Sequence, residues 1–146
     1  MFQKASSTKV SVGHLRSPSL HNAMLKVDKT EDLPSIKAVR KAAHISGALK
    51  TAFVGTHSDH MHLVLAHGEK DKNGALAARL DDKGHAIPNS FIIPETAIAQ
   101  WNADMKKLMD TEIELSLEYG KFNIKELENL GLTPEEYANL SFLIDG

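Results

Sequence analysis

Four of the eight histidines fall within eleven residues, as His57, His60, His62 and His67 of the stretch THSDHMHLVLAH. What they can do depends on the backbone beneath them. On a strand, alternate residues face one side, so His60 and His62 would stand together and could hold a divalent metal. On a helix each residue turns by about 100°, which points the two rings roughly 200° apart and leaves no place for one ion between them. Helical zinc pairs use i and i+4, whereas the successive spacings here are three, two and five. A second group is Glu112, Glu114 and Glu118, whose alternate members would lie roughly 7 Å apart on one strand face. That suits a metal or a pair of acids, and it equally suits a wet face whose charge keeps a strand edge from pairing. No G-x-S-x-G elbow, P-loop or G-x-G-x-x-G is present, and Asp71, Asn73 and Asp81 lack the EF-hand spacing and its closing glutamate. The chain has no cysteine, which excludes a thiolate nucleophile, a Cys-ligated zinc and a disulfide framework. No catalytic residue, metal ligand or cofactor is assigned on these grounds.

The stretch Asp59-His60-Met61-His62-Leu63-Val64-Leu65 resembles the His-hydrophobic-His strand of HUH endonucleases and single-strand transposases. That resemblance implies a metal-dependent single-strand DNA nicking enzyme, with His60 and His62 on the metal and Tyr119 or Tyr137 as the nucleophile that joins a DNA phosphate. The surrounding elements point elsewhere. The family flanks its metal strand with further strands, and the segment preceding His57 reads as helix. Tyr137 sits on an apolar stripe rather than among polar partners. Residues 57–66 are therefore expected to be helical, continuing the segment at 34–54, with His60 and His67 edging its buried stripe and His62 exposed.

The chain's 146 residues, 42% apolar and 25% charged, fit one compact domain. No apolar run reaches the 18 to 20 residues of a membrane span, so no membrane is expected as a partner. Met1 to Lys9 carries two lysines and no apolar stretch, and reads as no secretory signal. The net charge of −2 conceals an asymmetry. Residues 1–58 hold nine Lys/Arg against three Asp/Glu, and residues 59–146 hold eight against sixteen. The basic first third could meet nucleic acid, an acidic partner or the protein's own acidic second half. Its cations are scattered singly, with only Arg40-Lys41 adjacent, which is unlike a stripe that reads phosphates.

Residues 1–19 are polar and Ser-rich; Lys9-Val10-Ser11-Val12 could form a short strand, but the segment reads best as an N-terminal arm, leaving 20–146 as a single domain. Pro18-Ser19 opens a helix with Leu20, Met24 and Val27 on one face, and Asp32-Leu33-Pro34 opens the next. In that second helix Val39, Ala42, Leu49 and Phe53 fall within about 80° of arc, with Ile45 at the margin and Arg40, Lys41 and Lys50 largely to the sides. If it continues, Gly68 ends it. Asn73-Gly74 and Asp81-Asp82-Lys83-Gly84 are turns around a loose hairpin. Pro94-Glu95 opens a helix with Ile98, Trp101, Met105 and Leu108 at the spacing of a buried face. Ile113, Leu115 and Leu117 then alternate with Glu112, Glu114 and Ser116, the pattern of a half-buried strand. A helical turn at 124–130 stops at Gly131, and Thr133-Pro134-Glu135-Glu136 carries a capping box for the last helix. The expectation is an α+β domain of about four helices and a small antiparallel β element. Its core would be the helices at 34–54 and 94–109, with Phe53, Ile98, Trp101, Met105 and Leu108 buried and Trp101→Ala costing about 3–5 kcal/mol.

From Leu20 to Asp145 the order is a helical pair, a charged Asp-Lys-Asn-Gly loop and a helix ending Met105-Lys106-Lys107-Leu108-Met109. The alternating strand Thr111-Glu112-Ile113-Glu114-Leu115 follows, and Leu132-Thr133-Pro134-Glu135-Glu136 opens the last helix. This layout resembles small proteins encoded among the structural genes of tailed bacteriophages. The resemblance implies a non-enzymatic structural or assembly role in a particle, in the host cytoplasm or the virion. The implied partners are other protein subunits or further copies of this chain. The basic arm departs from the pattern.

Overall fold

A computed structural model describes residues 6–145. In chain order it carries β1 (Ser6–Ser11), α1 (Val12–Leu15), α2 (Pro18–Val27), α3 (Ile36–His67), β2 (Ala78–Leu80) and β3 (Ala86–Phe91). There follow α4 (Glu95–Asp110), β4 (Glu112–Leu117), β5 (Phe122–Asn123), α5 (Ile124–Leu127), α6 (Pro134–Leu140) and β6 (Ile144–Asp145). The class is α+β, with six α-helices among the described residues rather than about four. The difference comes from two single turns of four residues each: α1, too short for an apolar period to mark it, and α5, expected only as a helical turn within 124–130. Three two-stranded ladders form: β1 with β4 and β2 with β3 antiparallel, and β5 with β6 parallel.

The chain divides into two units, Met1–Gly55 with Asp110–Gly146, and Thr56–Met109. The first unit holds the main core, where α2 packs on α6 and α3 supplies Ala38, Ala42, Ile45 and Leu49. Phe122, Leu127, Leu140 and Leu143 complete it from the far end of the sequence. Local signals place these elements as expected. Ser17 accepts the Leu20 N–H and Pro18 sits at the start of α2. Thr133 and Glu136 form the reciprocal capping box of α6. Gly131 takes φ 67°, the left-handed conformation that ends the preceding turn and that a side chain would oppose.

Two expectations fail here for stated reasons. The reading of 1–19 as an arm does not hold for its described part. Ser6–Ser11 is a strand paired along its whole length with β4, Val10 opposite Ile113, and Val10, Val12 and Leu15 are buried. The alternation at Lys9 to Val12 offers a short strand, but Val10 and Val12 are its only apolar residues, so the polar, Ser-rich composition outweighs it. Residues 1–5 of that arm lie outside the described residues. The proposed core is also misplaced. Phe53 is 42% exposed and Ile98 41% exposed, while Trp101, Met105 and Leu108 are only part-buried and α4 buries no residue fully. A helical apolar period therefore marks the covered side of α4 without fixing how completely it is covered. For a part-buried ring, the loss on Trp101→Ala falls below the range for emptying a core site.

Candidate functional site

The histidine segment is helical. α3 runs unbroken from Ile36 to His67, so His60 and His62 point away from each other, His60 and His67 are part-buried and His62 is exposed. The strand that would bring His60 and His62 onto one metal is not formed. Tyr119 and Tyr137 both belong to the first unit, Tyr119 with its ring edge to His44 and Tyr137 donating to the Leu127 carbonyl at 3.4 Å. Among the described residues no group of three His, Asp or Glu side chains is placed to hold a metal ion. Among the described residues no helix is long and apolar enough to cross a membrane.

What the second unit does bring together is an aromatic and acidic cluster between α3 and α4. The His60 and His67 rings lie 6.0 and 6.2 Å from the Trp101 ring, and His57 lies 6.2 Å from His60. Nε2 of His67 donates to Asp104 at 2.7 Å, and the Gln100 amide donates to the other Asp104 oxygen at 2.9 Å. Asp104 was not singled out from sequence; it lies three residues past Trp101, one turn along the same helix face. The two hydrogen bonds, that from His67 foremost, hold the Asp104 carboxyl below the ordinary aspartate value of 3.8. A carboxyl with a lowered pKa in the folded state adds stability above its unfolded value, and that contribution is lost as pH falls through the folded one. Urea midpoints measured from neutral pH down through and below 3.8 should therefore fall less steeply for Asp104→Asn than for the parent chain. Parallel acid limbs for the two proteins would refute this.

The loops of this unit use their carboxylates on themselves. Oδ1 of Asp71 accepts from the N–H groups of Asn73 and Ala75, and Oδ1 of Asp81 from those of Lys83 and His85. These are Asx turns, and they account for Asp71, Asn73 and Asp81 as loop structure.

Two cations of the basic first third pair with acids of the second half within the first unit. Lys26 from the basic first third pairs with Glu136 at 2.6 Å, and Lys41 with Glu126 at 2.8 Å. The Arg16 guanidinium lies 5.1 Å above the Phe53 ring. The Lys26 bond, ahead of the Thr133 N–H, holds the Glu136 carboxyl below its ordinary value.

The first unit also carries an open groove of about 670 Å³ between α3 and β4. On one side stand Ala43, His44, Gly47, Ala48, Thr51 and Ala52, and on the other the consecutive strand residues Ile113, Glu114, Leu115 and Ser116. Glu112 and Glu114 are exposed while Leu115 and Leu117 are buried, as the alternation requires. Beyond the strand, His44 Nε2 accepts the Glu118 N–H at 3.1 Å, and its Nδ1 lies 3.8 Å from the Glu118 carboxylate.

Comparison with known protein families, with curated proteins and with solved structures finds no match for this chain. The functional reading therefore draws on the geometry and on the layout of the sequence, and Glu112 and Glu114 stand exposed on the wet face of the strand that pairs with β1.

Proposed function

We propose that this chain is a non-enzymatic structural or assembly component of a larger complex, built from copies of itself, and that the complex is a bacteriophage particle. One observation carries the assembly reading. Among the described residues of 56–109, Val64 is the one apolar side chain that is fully covered, while Leu65, Leu80, Ile87, Ile92 and Ile98 stand exposed. A unit with so little core of its own gains stability when another surface covers it. The particle setting is supported by the layout of the chain from Leu20 to Asp145. A metal-dependent nicking enzyme has no comparable support, since α3 separates the two histidines it would need on one ion.

Light scattering on the purified chain at micromolar to millimolar concentration tests the assembly. The expected mass is a multiple of 16.0 kDa that returns to the single-chain value on Ile98→Glu, a change at an exposed position that leaves the first unit's core untouched. A 16.0 kDa particle throughout that range would overturn self-assembly. Mass spectrometry of purified particles tests the setting, which fails if the chain stays in the infected-cell extract and never copurifies with them.

A further inference from the structure

Among the described residues no second strand pairs with β4 beside the groove between α3 and β4, and the identity of that free edge follows from the groove's lining. β1 pairs with β4 at every position from Glu112 to Leu117. Four consecutive β4 residues line the groove and no β1 residue does, so the groove runs along the edge opposite β1. Residues from both faces of a strand line one cavity together only where the cavity lies beside the backbone. Backbone N–H and C=O groups on that edge are the template on which an extended segment adds as a further strand.

The facing wall suits such an addition. Ala43, Gly47, Ala48 and Ala52 project little, and a side chain built on Gly47 would meet nothing within 4 Å. Gly47 lies inside a helix, where glycine is unfavourable relative to alanine by roughly 1 kcal/mol, so the helix itself gains nothing from it.

Charge selects the occupant. Glu112 and Glu114 project from the wet face of β4, with Glu118 just beyond, 69% exposed at its side chain. Across the β1 ladder Glu114 faces Lys9, but Glu112 faces Ser11. A second copy adding its own β4 would set glutamates beside glutamates, and like charges opposite each other weaken a ladder. A strand with cations at alternate positions would answer them, and its intervening residues must be small or β-branched to sit over Ile113 and Leu115. We propose that the free edge of β4 is a strand-addition site for an extended partner segment that alternates Lys or Arg with small apolar residues. The site stands on observations separate from the exposed apolar residues of 56–109, and its test reads backbone amides rather than particle mass.

The test uses the full chain, isotope-labelled, titrated with a short capped peptide alternating lysine and valine. The same peptide with glutamate for lysine serves as the control. The expected result is saturable shifts of the amides at 112–117 with the lysine peptide, weakening with added salt, and at least tenfold weaker binding of the glutamate peptide. Gly47→Leu fills the groove from the helix side at a position that favours leucine over glycine, and should weaken binding at least tenfold while its melt shows an intact fold. Glu112→Lys with Glu114→Lys should reverse the preference between the peptides. Equal binding of both peptides, shifts confined to other segments, no binding, or binding unaffected by Gly47→Leu would each overturn the proposal. Slow exchange of the 112–117 amides in the unliganded chain, lost on dilution, would give the edge to a second copy and overturn it too.

Discussion

Glu126→Ala is expected to destabilise the protein by about 3–5 kcal/mol, because it strands a buried lysine. Lys41 is 2% exposed and Glu126 8% exposed, and they meet at 2.8 Å. The same carboxylate oxygen accepts the Asn123 N–H at 2.8 Å, while Asn123 in turn accepts from Glu126, which closes the capping box of α5. One oxygen thus satisfies a buried ammonium and an orphan helix donor together. Removing it leaves Lys41 desolvated without a counter-charge and α5 without half of its cap. The double variant Lys41→Met with Glu126→Met should recover most of the loss, since replacing both partners of a buried pair by apolar groups is often neutral. Urea denaturation with an unchanged m-value reads both quantities. A loss under about 1 kcal/mol for Glu126→Ala would show that water reaches the pair.

Phe122→Ala should cost about 3–5 kcal/mol, the range for emptying a large enclosed site. Phe122 is 0% exposed within the cluster that joins Leu127, Leu140 and Leu143 to α3. Phe53→Ala is the matched control. That ring is 42% exposed, and its contact with Arg16 belongs to the class worth about 0.5–1 kcal/mol at exposed sites. Melts in which the two substitutions cost the same would place the core along the outer side of α3 instead.

That contrast also shows what a one-dimensional reading can resolve. The helices, their caps and the alternation in β4 are set by neighbours within a few residues, so Pro18, Thr133, Gly131 and Leu115 to Leu117 could be read in advance. The direction in which α3 turns its face could not. Centred on Val39 and Phe53, the arc put Ile45 at its margin and Lys41 to the side. The buried arc in fact centres on Ala38, Ile45 and Leu49, about a sixth of a turn away, which brings Lys41 inside. Alanines carry little weight in an apolar pattern, and a buried lysine subtracts from it, so the larger Val39 and Phe53 drew the apparent centre toward themselves. Its partner, Glu126, lies 85 residues further on, beyond any local pattern. Of the candidate site, the wet glutamates of β4 were legible as a charged edge. The groove beside them was not, because it depends on where α3 passes.

The pairing of β1 with β4 sets Ser6 opposite Leu117, a contact between remote parts of the chain. Ladders of such high sequence separation close late, since a long loop must be ordered before they are rewarded. During synthesis, at ~5–20 residues per second, β1 leaves the ribosome roughly 5–20 s before its partner exists. Throughout that interval it is a lone strand able to pair with its counterpart on a neighbouring nascent chain. Ser6, Ser7, Thr8 and Lys9 make it polar enough to wait, with Val10 its only large apolar side chain. Exchanging Ser7 and Lys9 for valine would leave the finished ladder intact and turn that waiting period into an opportunity for chains to tangle on the polysome.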